Sequence, residues 1–256
     1  MCIIFLAYQH FPRLPLVLVA NRDEFYGRPA LPLAFWEDEH QILAGRDGTA
    51  GGSWLGVNRS GRVAAITNIR NPAERKIFAP SRGLLVRDFL RGHTGEREFM
   101  NLLLEKGGDY NGFNLIFGTV SRLYCYDNRT NRIEALGAGI HGLSNDVINT
   151  PWPKVAKGKR FLDGLSMDAD EWSVDRLFEL LGDREQPDPA SLPDTGIGPE
   201  WERLLSPIFI VSPIYGSRCG TVLTLDTEGG VYMEERTYFR KPDSYQAHRF
   251  QFTLGT

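Results

Sequence analysis

Several classes of protein are excluded by what this 256-residue sequence lacks. It has three cysteines, Cys2, Cys125 and Cys219, an odd number without close spacing. That is neither a disulfide framework nor a zinc signature, so no metal site is expected and a reducing, cytoplasmic setting is. No stretch approaches the roughly 18 consecutive apolar residues that a spanning helix needs. The apolar first twenty residues lack a basic leader and are interrupted by Gln9, His10, Pro12, Arg13 and Pro15. They read as two short strands and a turn, not as a signal peptide. Neither sign of charge dominates: 29 basic and 32 acidic residues are interspersed, for a net charge of −3. No basic nucleic-acid face and no polybasic membrane patch is visible, and neither nucleic acid nor a membrane span is expected. A Walker lysine and a GxGxxG turn are also missing.

What is present is an ordinary globular composition, 42% apolar and 24% charged. It suits one domain covering residues 1–256 with a full core. Short apolar runs predict strands at Cys2 to Tyr8, Leu16 to Ala20, Gln41 to Ala44, Trp54 to Val57 and Arg62 to Thr67. Residues Arg28 to Asp38 read as a loop, and Asn58-Arg59-Ser60-Gly61 as a hairpin turn. Ser81 and Thr94 open two helices, the first with Leu84, Leu85, Val86, Phe89 and Leu90 as its apolar stripe. Strands are predicted again at Phe113 to Phe117, Leu123 to Tyr126 and Arg132 to Leu136. Helices follow near Pro153 to Leu165 and Ser173 to Leu181, then a Pro- and Gly-rich surface loop over 183 to 199 and a helical turn at Trp201 to Leu205. Strands at Phe209 to Val211, Thr221 to Leu225, Val231 to Thr237 and Arg249 to Leu254 close the chain. Strands, two helices, strands, two helices, strands are buried by an α+β fold, a four-layer αββα sandwich, although the order alone also fits other α+β folds.

Three features carry chemistry. Cys2 follows Met1, and removal of Met1 would leave a thiol and a free α-amine on one residue. Such an amine titrates near pH 8, about right for a general base acting on its own thiol. A cysteine opening an apolar strand is also an ordinary buried residue. Next, Asn21, Arg22, Asp23 and Glu24 follow the apolar run VLVA, which places them at a sheet end or a cleft. There Asp23 can receive the Cys2 amine and Arg22 can lower the thiol pKa or hold an anion. Taken alone, they are more simply a solvated turn with a local ion pair. Last, Gly51, Gly52 and Trp54 lie in GTAGGSW, whose glycines allow a tight loop over a ligand, a weak signal by itself.

The stretches MCIIFL, ANRDEFYGRPA, AGRDGTAGGSWLGVNRSGRVAAITNIRNP and YGSRCGTVLTLD together resemble the NRDE family, also called the transport and Golgi organisation family, over essentially the whole chain. That family is in turn similar to the N-terminal-nucleophile hydrolases, near bile-salt hydrolases and penicillin V acylases. The resemblance implies Cys2 as nucleophile, Asp23 on its amine, Asn68 in an oxyanion hole, and Asn145 and Arg218 as further site residues. It departs from those hydrolases at Ala20, which stands where they carry an arginine, while Arg22 sits one residue before the aspartate.

For function the resemblance points to intracellular haem handling, with haem as the transported ligand and haem donor or acceptor proteins as partners; lipid or acyl-CoA roles are a further implication. Candidate haem ligands include His10, His40, His93, His141, His248, Cys2 and Cys219, with Arg22, Arg46 or Arg218 on the propionates. No Cys-x-x-Cys-His attachment motif is present. His141, between Gly139 and Gly142 and close to Asn145, is the histidine nearest the expected site, although a loop position accounts for it too. The alternatives are an amidohydrolase or thioesterase acting through Cys2 and an inert interaction protein that keeps the fold.

Overall fold

A computed structural model describes residues 2–165 and 173–255; Met1, on whose removal the amine chemistry depends, lies outside the described residues. The chain forms two antiparallel sheets. In the first, the order is β10 (Gly139–Leu143), β1 (Cys2–Tyr8), β2 (Leu16–Phe25), β11 (Tyr215–Leu225), β12 (Gly230–Lys241) and β13 (Ser244–Thr253). In the second it is β3 (Ala30–Phe35), β4 (Ile42–Asp47), β5 (Leu55–Asn58), β6 (Arg62–Asn68), β7 (Phe113–Thr119), β8 (Arg122–Asp127) and β9 (Arg132–Ala135).

Period-two alternation divides the core. On β1 and β2, Ile4, Leu6, Leu16, Leu18 and Ala20 face the second sheet in the larger core, whereas Ile3, Phe5, Val17 and Val19 face outward. That outer face is covered by α3 (Pro153–Asp163) and α4 (Val174–Leu181). The second sheet is covered by α1 (Gly83–Arg91), where Leu85, Val86, Phe89 and Leu90 are buried, and by α2 (Glu96–Lys106), which adds Phe99 and Leu103. The result is the expected αββα sandwich. No described helix is long and apolar enough to cross a membrane.

Several elements depart from the sequence reading. Residues Ala30–Phe35, expected as loop, form β3 at the edge of its sheet. Pro32 is tolerated there because an edge strand has one side without ladder partners. Gly139–Leu143 pairs with the free edge of β1, a long-range choice that its glycines conceal. Phe209 to Val211 contributes only an isolated bridge, Val211 with Gly216. Neither Ser81 nor Thr94 caps a helix; the caps are Arg82 and Gly95, without side-chain bonds. The Asn58 to Gly61 turn forms as read, with Gly61 at φ +81.

The seat of β1 depends on Gly158 in α3. A Cβ there would lie 2.1 Å from Cε1 of Phe5, which is fully buried. Gly158→Ala should therefore push α3 off the strand that carries Cys2, at about 2 kcal/mol. Denaturant unfolding would measure it, and an unchanged midpoint would show that the helix shifts at no cost.

Candidate functional site

Antiparallel pairing sets Cys2 opposite Arg22 on β2. The backbone N–H of Asp23 donates to the Cys2 thiol, which burial pushes up in pKa while the neighbouring Arg22 opposes that rise. Arg22 is itself buried: its Nη2 donates to Asp47 Oδ2 at 3.1 Å, its guanidinium lies 4.4 Å over the Trp54 ring, and its Nη1 has no partner among the described residues. Burial opposes ionisation of Asp47, but Arg28, the N–H of Ala50 and Arg22 overcome it and hold the carboxylate below its usual range.

Asp23 projects from the other face of β2. A β-bulge between Ser217 and Cys219 on β11 leaves Ser217 opposite Asp23, and the Ser217 hydroxyl donates to Asp23 Oδ1 at 2.6 Å. The Tyr215 hydroxyl donates to the Asp23 carbonyl at 2.9 Å. Burial raises the Asp23 pKa, and Lys154, Ser217 and Arg70 oppose it. Lys154, from α3, is buried with Nζ donating to the Leu205 carbonyl at 2.8 Å. Burial brings its pKa down to about 8, against the pull of Asp23.

Asn145 joins this group to β6. Its Nδ2 donates to the Asn68 carbonyl at 2.9 Å, and its Oδ1 accepts from Arg70 Nη2 at 3.0 Å. Arg70 Nη1 donates at 2.6 Å to Glu202, on α5 (Pro199–Leu204). Beyond lies a cavity of about 960 Å³. Asn68, Arg70, Arg82, Glu24 and Tyr215 stand on its wall, and Cys2 interacts electrostatically with Arg82 and Tyr215. Six cations, Arg28, Arg70, Arg75, Lys76, Arg82 and Arg129, and two carboxylates, Glu24 and Glu74, line it. Arg28, Arg70 and Arg129 are paired with Asp47, Glu202 and Asp146 behind the wall, so Arg75, Lys76 and Arg82 carry its net positive charge. An anionic or strongly polar acceptor group is what such a wall favours.

The expected residues thus divide. Glu24 and Asn68 stand on the cavity wall, Cys2 is paired with Arg22 and accepts the Asp23 N–H behind it, and Asn145 is bonded to the Asn68 carbonyl. The others lie elsewhere, for reasons of packing. Asn21 holds the carbonyls of Leu181 and Ile208, tying β2 to the end of α4. Arg218, turned out by the bulge, donates to the carbonyls of Phe25, Tyr26 and Arg28 and clamps the turn after β2. Gly51 has φ +71 in its turn, and Gly52 is required by close approach: a Cβ would lie 2.4 Å from the Gly83 backbone. Trp54 supports Arg22 without reaching the cavity wall. The His141 ring is held by the Gly137 carbonyl and the Asn149 amide. None of the histidines lines the cavity among the described residues, and no cluster of His, Cys, Asp or Glu there could hold a metal ion. Sequence reading missed Asp47, Arg70, Lys154, Glu202 and Ser217. Asp47, Arg70 and Ser217 do lie inside the stretches that carried the resemblance.

The sequence model described as "Transport and Golgi organisation 2" matches residues 1–240. The Transport and Golgi organization 2 homolog of Mus musculus is 34% identical, over 99% of each chain. Two solved structures align at low scores. The Caenorhabditis elegans N-acylethanolamine-hydrolyzing acid amidase ortholog is 10% identical over 87% of this chain and 92% of its own, with a TM-score of 0.48. The C2A mutant of a conjugated bile acid hydrolase from Clostridium perfringens is 9% identical over 100% and 99%, also at 0.48. At these scores the two likenesses carry no argument about this chain.

Proposed function

The chain belongs to the Transport and Golgi organisation 2 family, and from that premise we propose that it is an N-terminal cysteine amidohydrolase or thioesterase whose acyl amide or thioester substrate occupies the basic cavity. The observation that carries this reading is the position of the Cys2 thiol. It accepts the Asp23 N–H, lies by the buried Arg22, and interacts electrostatically with Arg82 and Tyr215 of the cavity wall, which also carries Asn68.

With Met1 removed, the α-amine of Cys2 takes the thiol proton, a step made necessary by the upward push of burial on that thiol. The sulfur then attacks the substrate carbonyl, and Asn68 donates to the oxyanion. Collapse breaks the C–N or C–S bond, the leaving group takes the proton from the ammonium, and water cleaves the acyl-cysteine. Asp23, fixed by Ser217 and Tyr215, orients the amine.

The test is release of nitroaniline from an acyl nitroanilide, or of free thiol from an acyl thioester, by protein whose intact mass lacks Met1. Cys2→Ser should lower the rate at least about 100-fold, and Asn68→Ala by about 100- to 1000-fold. Met1 retained on active protein, or full activity in Cys2→Ser, sinks the reading.

A second reading, carriage of haem as cargo, is favoured by Arg75, Lys76 and Arg82 on the cavity wall, which suit a pair of propionates. With no histidine on that wall among the described residues, an axial bond would fall to Tyr110, or the iron would sit without one, which suits reversible loading. Haem donor and acceptor proteins would then be the partners. A Soret shift on titration, lost in Arg75→Ala or Tyr110→Phe, supports carriage, and an unchanged spectrum at micromolar haem ends it.

A further inference from the structure

Between β6 and α1 the chain runs along the cavity, and Asn71, Pro72, Glu74, Arg75, Lys76 and Arg82 from this stretch stand on the wall. The short turn at Pro72–Glu74 buries nothing. Beyond it Ile77 is 84% exposed and Phe78 96%, the two most exposed large apolar side chains among the described residues. They are held outward by a clamp one residue earlier. The Lys76 N–H donates to Asn111 Oδ1 at 2.7 Å, Asn111 Nδ2 returns a bond to the Lys76 carbonyl at 3.0 Å, and Lys76 Nζ donates to the Gly108 and Tyr110 carbonyls. Phe25 and Trp201, about half exposed, stand on the same wall.

We propose that this rim docks on an anionic lipid bilayer. Ile77 and Phe78 enter the boundary between headgroups and acyl chains, while Arg75 meets lipid phosphates. Paired exposed apolar side chains flanked by basic ones are the composition that binds membrane interfaces. The charge distribution selects an anionic surface. Of the six cations on the cavity wall, Arg28, Arg70 and Arg129 are paired with Asp47, Glu202 and Asp146. That leaves Arg75, Lys76 and Arg82, from the stretch that carries Ile77 and Phe78, against Glu74, so the apolar tip has a net basic flank. No polybasic run marks this in the sequence, because only Arg75 and Lys76 are contiguous and Arg82 is brought to the same wall by the fold. Docking would set the cavity beside the bilayer, where an amphiphile can pass in without crossing water. The proposal is independent of any chemistry at Cys2.

The test is co-sedimentation of the full chain with vesicles of phosphatidylcholine containing 30% phosphatidylserine, beside vesicles of phosphatidylcholine alone. Binding is expected to the anionic vesicles, at least tenfold stronger than to the neutral ones and weakened by 0.5 M salt. Ile77→Ser with Phe78→Ser should lower it at least tenfold, and Arg75→Glu several-fold, with thermal unfolding of both variants unchanged. Absence of binding to either vesicle, equal binding to both, or full binding by the Ile77/Phe78 double variant would overturn the proposal.

Discussion

Replacing Arg70 by alanine should lower the unfolding free energy by about 3–5 kcal/mol, the usual cost of leaving one partner of a buried ion pair behind. Arg70 and Glu202 are 6% and 4% exposed, with Nη1 and Oε2 2.6 Å apart. The other Glu202 oxygen accepts from the N–H and hydroxyl of Thr195, so the carboxylate cannot swing out to water without breaking the loop before α5. The truncation also removes the Arg70 bond to Asn145 and its packing over the Trp152 ring, 5.4 Å away. Lys154, which interacts with Glu202, would remain to compensate the buried carboxylate in part. Urea unfolding near pH 7 would measure the loss. A change under about 1 kcal/mol would mean that water solvates the pair. Replacing both partners with apolar residues of similar size should restore most of the stability, since the pair's attraction largely offsets its own desolvation.

Glu235→Gln should change how stability depends on pH. Glu235 is buried on β12, with Oε1 accepting the Leu33 N–H at 3.0 Å and the Cys219 thiol beside it. Burial pushes its pKa up to about 7 from an ordinary 4.5, although Leu33, Cys219 and Arg22 pull the other way. Below pH 4.5 the carboxyl is neutral in both folded and unfolded chains and costs nothing. As pH rises from there to 7 the unfolded chain releases the proton first, so stability falls, levelling off above pH 7 at a loss of about 3 kcal/mol. Glutamine keeps the bond from Leu33 and has no proton to lose. The stability difference between variant and wild type should therefore move in the variant's favour by about 3 kcal/mol between pH 4.5 and 8. Parallel pH profiles for the two proteins would refute the assignment.

The sequence by itself determined those features that rest on neighbouring residues. The short apolar runs CIIFLAY and LVLVA, parted by a Pro-containing turn, are enough to define β1 and β2 as strands buried on both faces. The stripe in GLLVRDFLR defines α1, and the Gly61 turn defines the β5–β6 hairpin. Once those two strands pair, Cys2 and Asp23 must be close, so this part of the site was legible from the N-terminal residues alone. Strands β3 and β10 were not, since LPL and GIHG have weak local preference and take their conformation from the strand beside them.

Tertiary structure alone decided the rest. Lys154 in PWPKVAKGKR looks like any solvated lysine until α3 packs beside Asp23. Glu202 becomes a buried anion only when α5 meets Arg70, 132 residues away in sequence. Gly52 resembled a ligand loop, but the backbone it must admit is that of Gly83, and the guanidinium of Arg218 is turned away by a bulge that no local pattern announces. Side-chain period and turn sterics act over a few residues and can be read from them. Burial, and the charges that burial forces together, depend on which distant surfaces exclude water from each other.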